Sequence, residues 1–138
     1  MKSYELIEHT ADIRIKIKGR DLKALFRNAG LAIFQISAER KSKKAEKYKE
    51  ISIKQKAQTL EELFINWLNE LLSLSAVKGL IFEDLKIIEI DTSNLKAIAF
   101  GRDIKDYKVN TEIKAATYHK LSIKKTASGR QAEVILDV

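Results

Sequence analysis

The chain has 138 residues, 45% of them hydrophobic and 33% charged. That is the balance of a folded protein, read here as one domain over residues 1–138 with a sizeable core. Cysteine is absent, which excludes disulfides, thiolate nucleophiles and thiolate zinc sites. The net charge is +7, and residues 40–56 account for most of it: Arg40, Lys41, Lys43, Lys44, Lys47, Lys49, Lys54 and Lys56 oppose only Glu46 and Glu50. No apolar run approaches the ~20 residues of a membrane span, and no signal-peptide core follows Met1. A soluble cytoplasmic protein with no membrane partner is expected.

Tyr4 to Glu8 is a weak strand candidate. Ile13, Ile15 and Ile17 alternate with Arg14, Lys16 and Lys18, the period of a half-buried strand. Gly19-Arg20 ends it, and Asp21 can cap a helix. Leu22, Leu25, Phe26, Ala29, Ala32, Ile33 and Ile36 then predict that helix as an amphipathic one. Gly30 inside it weakens it by about 1 kcal/mol relative to alanine, which close packing against a neighbour would explain. A charged connector over Glu39 to Lys47 leads to a strand over Tyr48 to Lys54. Thr59-Leu60-Glu61-Glu62 is a capping box. It opens a second helix with its apolar stripe at Leu60, Leu63, Phe64, Trp67, Leu68, Leu71 and Leu72, and Gly79 comes after its end. Strands are predicted at Leu85–Asp91, Leu95–Phe100, Leu121–Lys125 and Gln131–Asp137, with turns at Thr92-Ser93-Asn94 and Ser128-Gly129-Arg130. The order predicts an α+β fold, a mostly antiparallel sheet packed with two amphipathic helices.

The five glycines are isolated, so there is no glycine-rich phosphate loop, and no Gly-x-Ser-x-Gly elbow occurs. Only two histidines exist, His9 and His119. His9-Thr10-Ala11-Asp12 lies just before the isoleucine strand. On physical grounds a turn, with side-chain oxygens bonding nearby amides, outweighs a ligand site there. At the other end of the chain, the Asp137 side chain lies beside the α-carboxylate of Val138. Adjacent carboxylates repel unless a cation or an arginine lies between them. If Asp12 came close as well, three carboxylates would make a hard-oxygen site suited to calcium, magnesium or manganese.

These residues resemble the archease family. His9-Thr10-Ala11-Asp12 before an alternating strand is similar to its first signature, and Ile113-Lys114-Ala115-Ala116-Thr117-Tyr118-His119 to its second. Val134-Ile135-Leu136-Asp137-Val138 is similar to its terminus. The resemblance covers essentially the whole chain and implies a function. Archeases are non-catalytic accessory proteins of the GTP-dependent RNA ligase that rejoins tRNA exons. They promote guanylylation of the ligase and its repeated turnover. Some are linked to a tRNA methyltransferase as a chaperone-like partner. The resemblance implies a divalent metal ion, calcium first with magnesium or manganese as alternatives, held by Asp12, Asp137 and the carboxylate of Val138. RNA contact would be indirect or weak. Two departures stand out. An aspartate that often follows the first helix in the family is Glu39 here, and the family is often acidic where this chain is basic.

Two other classes compete. His9, His119 and Asp12 could form a two-histidine, one-carboxylate site of a small metal-dependent enzyme. The basic segment 40–56 could bind RNA, but with Tyr48 as its one aromatic it lacks a stacking platform. Tyr118 and His119 are expected to be buried polar groups with satisfied hydrogen bonds. Trp67 is expected in the core, and the basic run on a solvated surface.

Overall fold

The computed structural model describes residues 3–9, 12–41 and 47–138, with only the backbone described at 6–9. β1 (Tyr4–His9) and β2 (Asp12–Gly19) form a hairpin, followed by α1 (Leu22–Ser37) and a short β3 (Ala38–Arg40). β4 (Lys49–Lys56) and α2 (Leu60–Lys78) come next, then β5 (Leu80–Ile90) and β6 (Asn94–Asp103). A single 3₁₀ turn (Ile104–Asp106) leads to β7 (Tyr107–Val109), and β8 (Ala115–Thr126) and β9 (Gly129–Asp137) complete the order. The strands make a four-stranded sheet in the order β1-β2-β9-β8, a three-stranded sheet β4-β6-β5 and a β3-β7 pair. All the pairings are antiparallel. The α+β class is as expected, although the strands divide among three sheets. Among the described residues no helix is long and apolar enough to cross a membrane.

Each helix forms where its caps and stripe dictate. The Asp21 carboxylate accepts from the Ala24 amide at 2.8 Å, satisfying one of the orphan donors of the first turn of α1. The Thr59 hydroxyl accepts from the Glu62 amide at 3.1 Å. Glu62 in turn reaches the Gln58 amide at 3.4 Å, one residue before the cap amide that a standard capping box would use. Gly79 closes α2 in the left-handed conformation (φ 63°), where glycine carries no Cβ penalty.

The two helices meet in the core. Phe26 and Phe64 pack edge to face at 5.2 Å. The Trp67 indole N–H donates to the Phe26 carbonyl at 2.8 Å, so this fully buried ring leaves no polar group unsatisfied. A Cβ at Gly30 would lie 2.5 Å from a Leu85 methyl and 2.9 Å from a Leu71 methyl, which is the close packing that its place inside a helix suggested. Phe26 meets Phe64 and Gly30 meets Leu71, so the helices run parallel.

Four elements differ from the expectation. β5 begins at Leu80 rather than Leu85 because Leu80, Ile81 and Phe82 are all buried and the register shifts between Phe82 and Asp84. Period-two alternation fails across such an irregularity. β3 and β7 are three residues each, too short for any periodic signal, and β3 replaces part of the charged connector. β8 begins at Ala115, where alanines carry little strand propensity.

The segment between the first helix and β4 includes residues 42–46, so Lys43, Lys44 and Glu46 lie outside the described residues. Lys49, Lys54 and Lys56 sit exposed on β4, an edge of the three-stranded sheet. Lysines on an edge discourage pairing with another chain. On β5 of the same sheet, Glu83 joins four side chains. Arg102 lies 3.1 Å away and Arg40 3.6 Å, Tyr48 donates at 3.2 Å, and the Tyr107 hydroxyl donates to the same carboxylate. Burial, reinforced by the bond to Glu83, pushes the Tyr107 phenol far above its ordinary range. This network accounts for the buried Arg102.

Candidate carboxylate site at the sheet end

Asp12 opens β2, Asp137 closes β9, and the two are direct cross-strand partners. Next along the strands, Ile13 and Leu136 are paired and buried. Alternation therefore turns the two aspartates to the opposite, outward face, and both are exposed. Side chains directly opposite in an antiparallel pair have Cβ atoms about 5 Å apart, and like charges there destabilise the pair. Val138 comes immediately after and is 37% exposed. The structure thus brings Asp12, Asp137 and Val138 together at one end of the central strands.

The backbone of Asp137 is held from two sides. Asp12 faces it on β2 and Ala115 on β8, and its carbonyl accepts from the Lys114 amide at 2.8 Å. β8 is an edge strand, and α2 fastens it there. The Asn69 side chain donates to the Ala116 carbonyl at 3.1 Å and accepts from the Ala116 amide at 2.7 Å. Asn69 escaped the sequence reading because a half-buried amide on a helix flank carries no periodic signal. The 110–114 segment is tied to the end of α1, with the Asn110 and Thr111 amides donating to the Ser37 carbonyl at 2.8 and 3.1 Å. Beside it opens a concavity of about 420 Å³ lined mainly by Phe34, Leu72, Ile81, Ile104, Val109 and Ile113.

Among the described residues the side-chain donors brought together here are aspartate oxygens, which suit a hard cation rather than zinc or copper. Among the described residues no three His, Asp or Glu side chains cluster around one point, so two aspartates are what the side chains contribute. Glu39 does not join them: it is exposed on β3, opposite Lys108 on β7.

Other candidates fall elsewhere. Of the first signature, Thr10 and Ala11 lie outside the described residues, and so does the His9 side chain. His9 pairs with Ile13 at the end of the β1-β2 hairpin, where a turn was expected. His119 lies on β8, the opposite edge of the four-stranded sheet from β1. Three strand spacings, about 14 Å, separate the backbones of those two edges. The expected burial of Tyr118 and His119 is corrected as well. Tyr118 is 55% exposed and His119 is exposed. Both lie where β8 leaves register with β9, between Thr117 and Ser122, and Lys120 there takes a left-handed φ of 54°. In such a bulge alternation no longer turns side chains toward the core.

Comparison with known proteins agrees with this architecture. The family model described as the archease protein family matches residues 4–138. The chain is 37% identical to protein archease of Methanosarcina barkeri, over 99% of this chain and 97% of that protein. It is 34% identical to protein archease of Pyrococcus furiosus over the full length of both. The solution structure of protein 1598 of Methanobacterium thermoautotrophicum superposes with a TM-score of 0.75 at 30% identity, over all of both chains. A crystal structure from Thermotoga maritima, of an archease described as a possible chaperone, shares the fold at a TM-score of 0.65 and 24% identity, over 97% of this chain and 96% of that one. Full-length similarity at this level, joined to signatures that meet at one sheet end, establishes that the chain belongs to the archease family.

Proposed function

We propose that this protein is a non-catalytic activator of a GTP-dependent tRNA-splicing RNA ligase, promoting guanylylation of the ligase and its multiple turnover. Family membership supports the reading, and the observation that carries it is the Asp12–Asp137 cross-strand pair. Two exposed carboxylates set directly opposite weaken a sheet unless something cationic offsets them. In this reading Asp12, Asp137 and the carboxylate of a chain ending at Val138 hold a divalent ion, calcium first, with magnesium and manganese as alternatives. When bound, the ion supplies a hard positive charge at the protein surface. The chain's own part is to present these oxygens from two hydrogen-bonded strands, with the apolar concavity alongside available to a partner protein. A second reading, a chaperone-like partner of a tRNA methyltransferase, draws on that same concavity and on the description of the Thermotoga relative as a possible chaperone.

A reconstituted ligation assay tests the proposal. Added wild-type protein should raise ligase guanylylation and turnover in the presence of a divalent ion. Asp12→Asn should lose that stimulation together with the calcium-induced rise in melting temperature, while its metal-free melting temperature stays close to that of wild type. Absence of stimulation by the wild type would refute the activator reading. Stimulation by a variant that no longer binds metal would separate the site from the function.

A further inference from the structure

We infer that the end of the molecule opposite the carboxylate pair is a docking surface for a nucleic-acid phosphate backbone. β2 runs from Asp12, paired with Asp137, to Gly19, paired with Arg130. At about 3.3 Å per residue the two ends lie about 23 Å apart. At the far end two concavities of about 470 and 330 Å³ adjoin, sharing Arg20, Thr126 and Arg130. Lys18, Arg20, Lys23, Lys125 and Arg130 line them, with Asp21 as their one carboxylate. Asp21 is already engaged, capping α1 through the Ala24 amide and lying 4.0 Å from Arg20.

The basic surface continues onto the second sheet. A third concavity of about 400 Å³ shares Ile90 with the first and adds Lys54, Lys56 and Lys96 against Glu89 and Asp91. Asp91 is likewise occupied, accepting from the Ser93 and Asn94 amides at 2.8 and 2.7 Å. Those bonds hold its carboxyl below the usual range. Both helices start at this end, with the positive pole of α1 offset by its Asp21 cap and that of α2 by Glu61 and Glu62.

Chemistry selects the partner. A protein interface is built around a desolvated apolar centre. The large apolar residues most exposed among those described are Tyr48, Val77, Ile104, Val109, Tyr118 and Val138, and none of them lines these three concavities. Beside the smaller apolar contributions of Leu22 and Ile90, the first two present arginine, lysine and the hydroxyls of Thr126 and Ser128, the groups that contact phosphate oxygens without reading sequence. These cations are separate from residues 42–46, and their attraction for phosphate depends on neither the carboxylate site nor a ligase.

The test is fluorescence anisotropy with a labelled single-stranded RNA of mixed sequence, titrated with the full-length protein over a range of potassium chloride. Binding should weaken steeply with salt. The triple variant Arg20→Glu, Lys23→Glu, Lys125→Glu changes three exposed side chains and should fold, as thermal melting will check. It should bind at least tenfold more weakly, with a log–log salt slope shallower by about 2, from roughly 0.7 for each lost contact. The reversal Lys49→Glu, Lys105→Glu, Lys108→Glu, placed outside these concavities, should leave affinity within twofold. Equal loss in the two variants, or none in the first, overturns the proposal. So does displacement of the RNA by polyglutamate at equal charge concentration, which would make this end a site for acidic polypeptides.

Discussion

At single residues, Gly30 shows two opposing effects that magnitudes decide. Alanine in its place would gain about 1 kcal/mol of helix propensity. Its Cβ would also enter space held by Leu71 and Leu85, which are 0% and 2% exposed. Overpacking of a closed core costs about 1–3 kcal/mol, and neither leucine has solvent to retreat into. Gly30→Ala is therefore expected to destabilise the protein by about 1 kcal/mol net. Urea denaturation measures this directly, and a variant as stable as wild type would show that the leucines repack freely. The sequence exposes the anomaly, a glycine inside an apolar stripe, but not the neighbours that enforce it.

Among the helices and strands, the attachment of α2 to β8 connects packing to the site. An edge strand has one side without a neighbouring strand, and at Ala116 the Asn69 side chain takes the neighbour's place. Asn69→Ala leaves an amide and a carbonyl without these partners, which costs about 1–3 kcal/mol where water cannot replace them. The variant should melt at a lower temperature, and the Ala116 amide should exchange faster with solvent. Asn69→Asp, which keeps an acceptor for the Ala116 amide but loses the donor, should fall between. Unchanged exchange at Ala116 in Asn69→Ala would mean that β9 alone holds the strand. Helices α1 and α2 were legible because caps and stripes are local. The starts of β5 and β8 were not, because a bulge and an alanine pair erase the alternation from which strands are read.

Across the molecule, charge and chemistry divide between two ends. The carboxylate pair and the apolar concavity lie at one, and the clustered cations at the other. In a chain ending at Val138, a short tag added there would convert the carboxylate to an amide and run chain past Asp137, whereas one before Met1 would do neither. Under the proposed metal site, the C-terminal tag should reduce both the calcium-induced rise in melting temperature and ligase stimulation relative to the N-terminal tag. Equal responses in the two tagged forms would remove Val138 from the site.

The features legible in the chain were local ones: Asp21 and Thr59 as caps, the isoleucine alternation of β2, the apolar stripe around Trp67, and three short signatures. Each depends on neighbours within a few positions, so spacing alone reveals it. Folding decided which distant residues meet. Asp12 and Asp137 are adjacent because β2 and β9 pair in one register, and a shift of a single residue would turn one of them to the other face. The same sheet order put His9 and His119 on opposite edges, and Tyr118 and His119, expected to be buried, lie exposed where β8 leaves register with β9. The basic end is likewise a product of folding. Arg20 is far in sequence from Lys125 and Arg130, yet the three come to line one concavity where the β2–α1 turn meets the β8–β9 hairpin. Strand register and hairpin docking depend on contacts between remote segments, and no local window of sequence contains them.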